Sequence, residues 1–185
     1  LKYFEMKKNI QIFILTVFLL STYSEKSFAQ LPPSIDFSKN KEQFAGKTQV
    51  IYFCATWCMP CMEKLDTVIQ VFGKSNDNFD FSVVFDRTGV SRLNNMIKTN
   101  NYDSTLFKLL AYRYYPHSKS PIQINIQARA FKKLSKELKQ EYVLNKNSAN
   151  SVSYGEFAVI KKDTISFIKG NSNKAVLIEK VKASL

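Results

Sequence analysis

The sequence predicts an α/β domain, a central mixed sheet flanked by helices, and two blocks of pattern predict it. Near the N-terminal third, Thr48 to Cys54 is rich in β-branched and aromatic residues without polar alternation, as a strand covered on both faces requires. Met62, Leu65, Val68, Ile69 and Phe72 then recur at helical spacing up to Gly73, and Phe79 to Phe85 reads as a second strand closed by Asp86-Arg87-Thr88-Gly89. At the other end, Glu156 to Ile160 and Thr164 to Ile168 form a hairpin about Lys161-Lys162-Asp163. After the turn Gly170-Asn171, the residues Ala175, Val176, Ile178, Val181 and Leu185 mark a closing helix. A β-α-β unit followed by β-β-α gives a four-stranded mixed sheet with helices on both faces.

Between the two blocks lies Val90 to Tyr154, expected to be a mainly helical insertion. Helical periodicity is read at Leu93-Ile97 and at Leu106-Leu109-Leu110, a strand at Ile122 to Ile126, and an amphipathic helix with a basic outer face over Ala128 to Tyr142. Residues 31 to 47 read as an irregular lead-in. No internal repeat interrupts this plan.

Ahead of the domain, Met6-Lys7-Lys8-Asn9 is a short basic region and Ile10 to Leu20 an apolar run broken only by Gln11 and Thr16. Small residues stand at −3 and −1 in Ser27-Phe28-Ala29, before Gln30. Residues 1–29 are therefore expected to be a secretory signal peptide with a few upstream residues, preferred over an uncleaved membrane anchor, and 30–185 one domain. No Cys lies near the cleavage point to accept a lipid. Export, with the periplasm as destination, follows.

The 185-residue chain carries +12, of which positions 1–29 account for +2. A nucleic-acid interface would gather these charges among aromatic side chains. Here Lys132, Lys133, Lys136, Lys139, Lys161, Lys162, Lys174, Lys180 and Lys182 are spread along helices and turns, so a solvated surface is the preferred reading. A weak attraction to acidic partners or anionic lipid stays open.

Chemistry concentrates in Cys54-Ala-Thr-Trp-Cys58-Met-Pro-Cys61, between the first strand and its helix. Positions i and i+3 share a helix face, close enough for a disulfide. Cys58 is expected at the helix N-terminus, where unpaired N–H groups and the dipole favour a thiolate. Pro60 loses no hydrogen bond in the first turn. The uncharged Met59-Pro60 pair adds no cation beside Cys58, which favours a reducing or intermediate potential. A purely structural disulfide is the bland alternative. Cys54 is read as a packed thiol, and a metal on Cys54, Cys58 and Cys61 would need a fourth ligand on poor geometry. His117, the only His, is read as a surface residue, and Tyr112, Tyr114 and Tyr115 as a helix end against the core. Haem attachment is excluded, since Met62 follows Cys61 where a His is required.

Phe44-Ala45-Gly46-Lys47, the strand Val50 to Phe53, Ala55-Thr56-Trp57-Cys58-Met59-Pro60-Cys61 and the terminal hairpin and helix together resemble the thioredoxin superfamily, most closely its exported TlpA/ResA-like thiol–disulfide oxidoreductases. The similarity covers about 95 residues and the insertion only loosely. The resemblance implies a thioredoxin-like fold and thiol–disulfide exchange with exported proteins. Cys58 would be the nucleophile, Cys61 the resolving thiol and Trp57 the cover over the pair, with Pro60, Met59 and Gly155 as active-site support. It implies protein thiol or disulfide partners, a membrane electron-donor protein as the supply, and no nucleic acid, metal or cofactor. A periplasmic reductant is the leading expectation; an oxidase or isomerase, or a binding module with a static disulfide, are the alternatives. Three positions depart from the family pattern. Tyr52 stands where a buried acid is usual, Lys64 where TlpA/ResA-like proteins often have Glu (with Glu63 and Asp66 nearby), and Gly155 where the cis-Pro before the hairpin would fall. Pro121 is the rival for that last role.

Overall fold

A computed structural model describes residues 32–35, 46–74, 77–86, 89–110 and 132–185, all within the unit Pro32–Leu185. The expected signal peptide, the Phe44-Ala45 lead-in, the strand at Ile122 to Ile126, and Tyr112, Tyr114, Tyr115, His117 and Pro121 lie outside the described residues.

The elements run in the order β1 (Ser34–Ile35), β2 (Thr48–Cys54), α1 (Met59–Phe72), β3 (Phe79–Phe85), α2 (Val90–Thr99), a 3-10 turn (Ser104–Leu106) and β4 (Phe107–Leu110). They continue with α3 (132–141), β5 (Val143–Leu144), β6 (Phe157–Lys161), β7 (Thr164–Ile168) and α4 (Lys174–Lys182). The sheet has seven strands in the order β1-β4-β3-β2-β6-β7-β5. Its middle, β3-β2-β6-β7, is the predicted four-stranded unit. β2 runs parallel to β3 from Thr48↔Phe79 to Cys54↔Phe85, and antiparallel to β6 with Tyr52 opposite Phe157. The fold is thioredoxin-like: β-α-β, then a β-β-α unit whose first strand lies antiparallel against the first strand of the motif.

Strand β2 is buried from Gln49 to its end, and its alternate residues feed two cores. Val50, Tyr52 and Cys54 pack with Leu65, Val68 and Phe72 of α1, Leu93 and Ile97 of α2, and Leu177, Ile178 and Val181 of α4. Ile51 and Phe53 point the other way, onto Leu134 and Leu138 of α3. Period-2 alternation with both faces apolar is why the strand shows no polar alternation. The middle stretch therefore supplies structure that the sheet needs: α3 covers one face of β2, and β4 joins β3 in parallel.

Three expectations are corrected. The sheet has seven strands, because the short β1, β4 and β5 add themselves to its edges; two-residue strands such as Ser34–Ile35 carry no readable period. Leu106-Leu109-Leu110 is not helical but a 3-10 end followed by β4. Phe107 and Leu109 enter one core and Leu110 the other, so three leucines fitted a helical spacing only by coincidence with a period of two. The first hairpin strand begins at Phe157, one residue after Glu156.

Phe157 is fully buried, its ring 4.7 Å from Tyr52 and 5.9 Å from Phe72. Phe157→Ala empties the joint of β2, β6 and α1, and is expected to cost about 3–5 kcal/mol. Urea unfolding followed by circular dichroism measures it; a loss below about 1 kcal/mol contradicts this packing.

Candidate functional site

Because β2 and β3 are parallel and in register through Cys54↔Phe85, the residues that follow them leave the same sheet edge. From β2 come Ala55, Thr56, Trp57 and Cys58; from β3 comes Asp86. Gly89 lies close against Thr56. Its φ of +72° begins α2, and a Cβ there would lie 2.4 Å from Thr56 Oγ1.

Cys58 is the N-cap of α1 in extended conformation, and its N–H donates to Ala55 O at 3.0 Å. Its own carbonyl accepts from the N–H groups of Cys61 and Met62, both at 3.0 Å. Cys58 and Cys61 are joined by a disulfide across 5.3 Å between Cα atoms. Their exposure differs. Cys58 is half-buried, whereas Cys61 is 1% exposed and belongs to the core. Met59, at 60%, and Pro60 are exposed beside Cys58.

Gly155 closes the pair from the opposite side. Its N–H donates to Phe53 O at 2.7 Å, and Phe53 N–H donates to Glu156 O at 3.0 Å, so the turn is stitched to the end of β2. At φ +75° a Cβ on Gly155 would sit 3.3 Å from Cys61 Sγ. Glycine is suited here twice over, by its left-handed backbone and by the sulfur at its Cα. Gly155, at the position where the resemblance would put a cis-Pro, lies against Cys61.

Two participants were missed by the sequence reading. The carboxylate of Asp86, 1% exposed, accepts on Oδ2 from Trp57 Nε1 at 3.0 Å and from Tyr154 Oη at 2.9 Å. The Trp57 and Tyr154 rings meet edge to face at 4.8 Å. A polar residue directly after a buried parallel strand, at the same edge as the cysteines, was the available signal. Tyr154 had no such signal, since it sits in an irregular segment.

Below the disulfide the groups are uncharged. Tyr52 Oη donates to Cys61 O at 3.0 Å, and burial, with Cys54 adding to it, pushes the phenol well above its ordinary range. Cys54 is a buried free thiol, with Met62 Sδ 3.7 Å from its sulfur. Burial first, and the nearby Asp86 charge as well, push its thiol far up against a smaller opposing contact with Ala55 O. Cys54 therefore stays protonated at neutral pH, a packing residue. The acids near Lys64 do not turn inward: Glu63 is exposed, and exposed Asp66 accepts from Tyr102 Oη.

No family model and no curated protein matches the chain. Among solved structures it is similar to a thioredoxin-family thiol:disulfide interchange protein from Chlorobium tepidum TLS, at 19% identity over 77% of this chain and 82% of that one, TM-score 0.44. It is also similar to the exposed lipoprotein thioredoxin Etrx1 of Streptococcus pneumoniae strain TIGR4, at 16% identity over 77% and 88%, TM-score 0.40. A secreted Mycobacterium tuberculosis disulfide oxidoreductase described as homologous to E. coli DsbE matches at 16% identity over 77% and 85%, TM-score 0.42.

Asp86→Ala strands the Trp57 and Tyr154 donors together and is expected to cost about 1–3 kcal/mol. Trp57 is the sole tryptophan, so its emission reports the change directly, shifting to the red, while Asp86→Asn, which keeps an acceptor oxygen, shifts less. Identical emission in wild type and Asp86→Ala contradicts the cluster.

Proposed function

We infer that the protein exchanges disulfides with exported protein substrates through Cys58 and Cys61, acting as a periplasmic reductant. One observation carries this reading: a disulfide whose first residue, Cys58, is half-buried at a helix N-terminus while its partner, Cys61, is buried one turn further in. Such an asymmetric pair gives one sulfur to substrate and withholds the other.

In the reduced protein the Cys58 thiolate attacks a substrate disulfide. A Cys58–substrate S–S bond forms as the substrate bond breaks, and the first substrate sulfur leaves as a thiolate that takes up a proton. Cys61 then attacks Cys58 Sγ, its proton passing to the second substrate sulfur as that sulfur leaves. The mixed disulfide breaks, the second substrate sulfur leaves, and the Cys58–Cys61 bond is remade. Two electrons have passed from the protein dithiol to the substrate disulfide. A dithiol donor, read as a membrane electron-carrier protein, returns them by the same two exchanges.

Reduction rather than oxidation is supported by the motif. Met59 and Pro60 bring no cation against Cys58, so the thiolate is stabilised by the helix N-terminus without a further charge. Export is supported by the reading of residues 1–29.

With dithiothreitol as the electron source, the wild-type protein is expected to accelerate insulin reduction, and Cys58→Ser to do no better than buffer. Cys61→Ser is expected to accumulate a mixed disulfide visible by mass spectrometry. Equal inertness of wild type and Cys58→Ser overturns exchange in favour of a static disulfide. A Cys58–Cys61 potential well above the glutathione range overturns the reducing direction.

A further inference from the structure

A cleft of about 470 Å³ lies between α3 and the segment 150–153, lined by Lys132, Ser135, Lys139, Asn150, Ser151 and Ser153, with Val152 at its floor. Lys132, Ser135 and Lys139 are spaced i, i+3 and i+7, which puts them on one face of α3. Both lysines are exposed, and among the described residues no carboxylate pairs with either; the ion pair on this helix joins Lys133 to Glu137. Among the described residues no acidic side chain lines the cleft. Its rim thus presents the two ammonium groups with the Ser151 and Ser153 hydroxyls and the Asn150 carboxamide over a largely apolar wall, so its charge complements carboxylates.

The cleft is also tied to the disulfide. Ser135 Oγ accepts from Val152 N–H at 3.0 Å, which pins the segment to α3. Two residues beyond Ser153 comes Gly155, against Cys61 Sγ, and two residues span at most about 7 Å.

Resting on the exchange function inferred above, we propose that this cleft is a docking site for acidic segments of the protein substrate, so that disulfides carried beside Asp or Glu are preferred. The excess of positive charge on the chain favours the same partners at longer range and speeds encounter. Lys132 and Lys139 act on recognition and leave the sulfur chemistry alone.

The test separates docking from exchange by using a fluorescent peptide in which an acidic flank is kept and the cysteine is replaced by Ser. Wild-type protein is expected to bind it with NMR shifts confined to α3 and residues 150–153. A neutral-flank peptide should bind less, and the double variant K132E/K139E should weaken acidic-peptide binding roughly three- to tenfold, as expected for two partly screened ion pairs. Adding salt should erase the difference. With disulfide-bonded versions of the same peptides, the variant should lose the acidic preference in kcat/KM and keep the neutral-peptide rate. Binding without turnover leaves docking standing and removes exchange. Equal affinity for acidic and neutral peptides, a preference that survives K132E/K139E, or shifts produced only by anionic vesicles overturns the proposal.

Discussion

The parallel register of β2 with β3 is the constraint on which the site depends. It brings the chain out of two buried strands at one edge, so that Trp57 and Cys58 from one and Asp86 from the other meet without any long connection. The register is firm because β2 cannot slip. A shift by one residue would exchange the partners of Val50, Tyr52 and Cys54 with those of Ile51 and Phe53, and both sets are fully buried against different helices. Burial of the strand thus becomes precision at its end.

From that edge the two cysteines acquire unequal surroundings. Cys58 has the helix N-terminus and solvent; Cys61 has Tyr52 below it and Gly155 beside it. The left-handed glycine lets the 154–156 turn approach to van der Waals distance, while its backbone bonds to Phe53 hold it there. Tyr154, the neighbour of that glycine, is anchored through Asp86 to Trp57. Shielding of one sulfur and support of the indole are consequences of a single stitched turn. The absence of a carboxylate in the Tyr52 position leaves a phenol that holds the Cys61 carbonyl and keeps its own proton.

Much of this was legible in the chain. The apolar run Thr48 to Cys54, the helical spacing after Met59 and the terminal hairpin gave the middle of the sheet, and Trp57-Cys58-Met59-Pro60-Cys61 gave the disulfide pair. Gly155 was placed near the dithiol by counting back from the hairpin. What escaped was tertiary. Two-residue edge strands have no period of their own, and Leu106-Leu109-Leu110 fits helix and strand alike until Phe107 and Leu110 are seen on opposite faces. Asp86 read as an ordinary turn residue, because its hydrogen bond with Trp57 spans 29 positions of sequence. The role of α3 was hidden too, since an amphipathic helix does not announce which sheet face it covers.

The fold leaves Cys58 half-buried at the helix N-terminus and buries Cys61. Brief alkylation of the reduced protein with iodoacetamide, mapped by peptide mass spectrometry, tests it most directly. Cys58 is expected to be modified first, with Cys61 and Cys54 reacting at comparable rates only after denaturation. Modification of Cys61 as fast as Cys58 in the folded protein would contradict it.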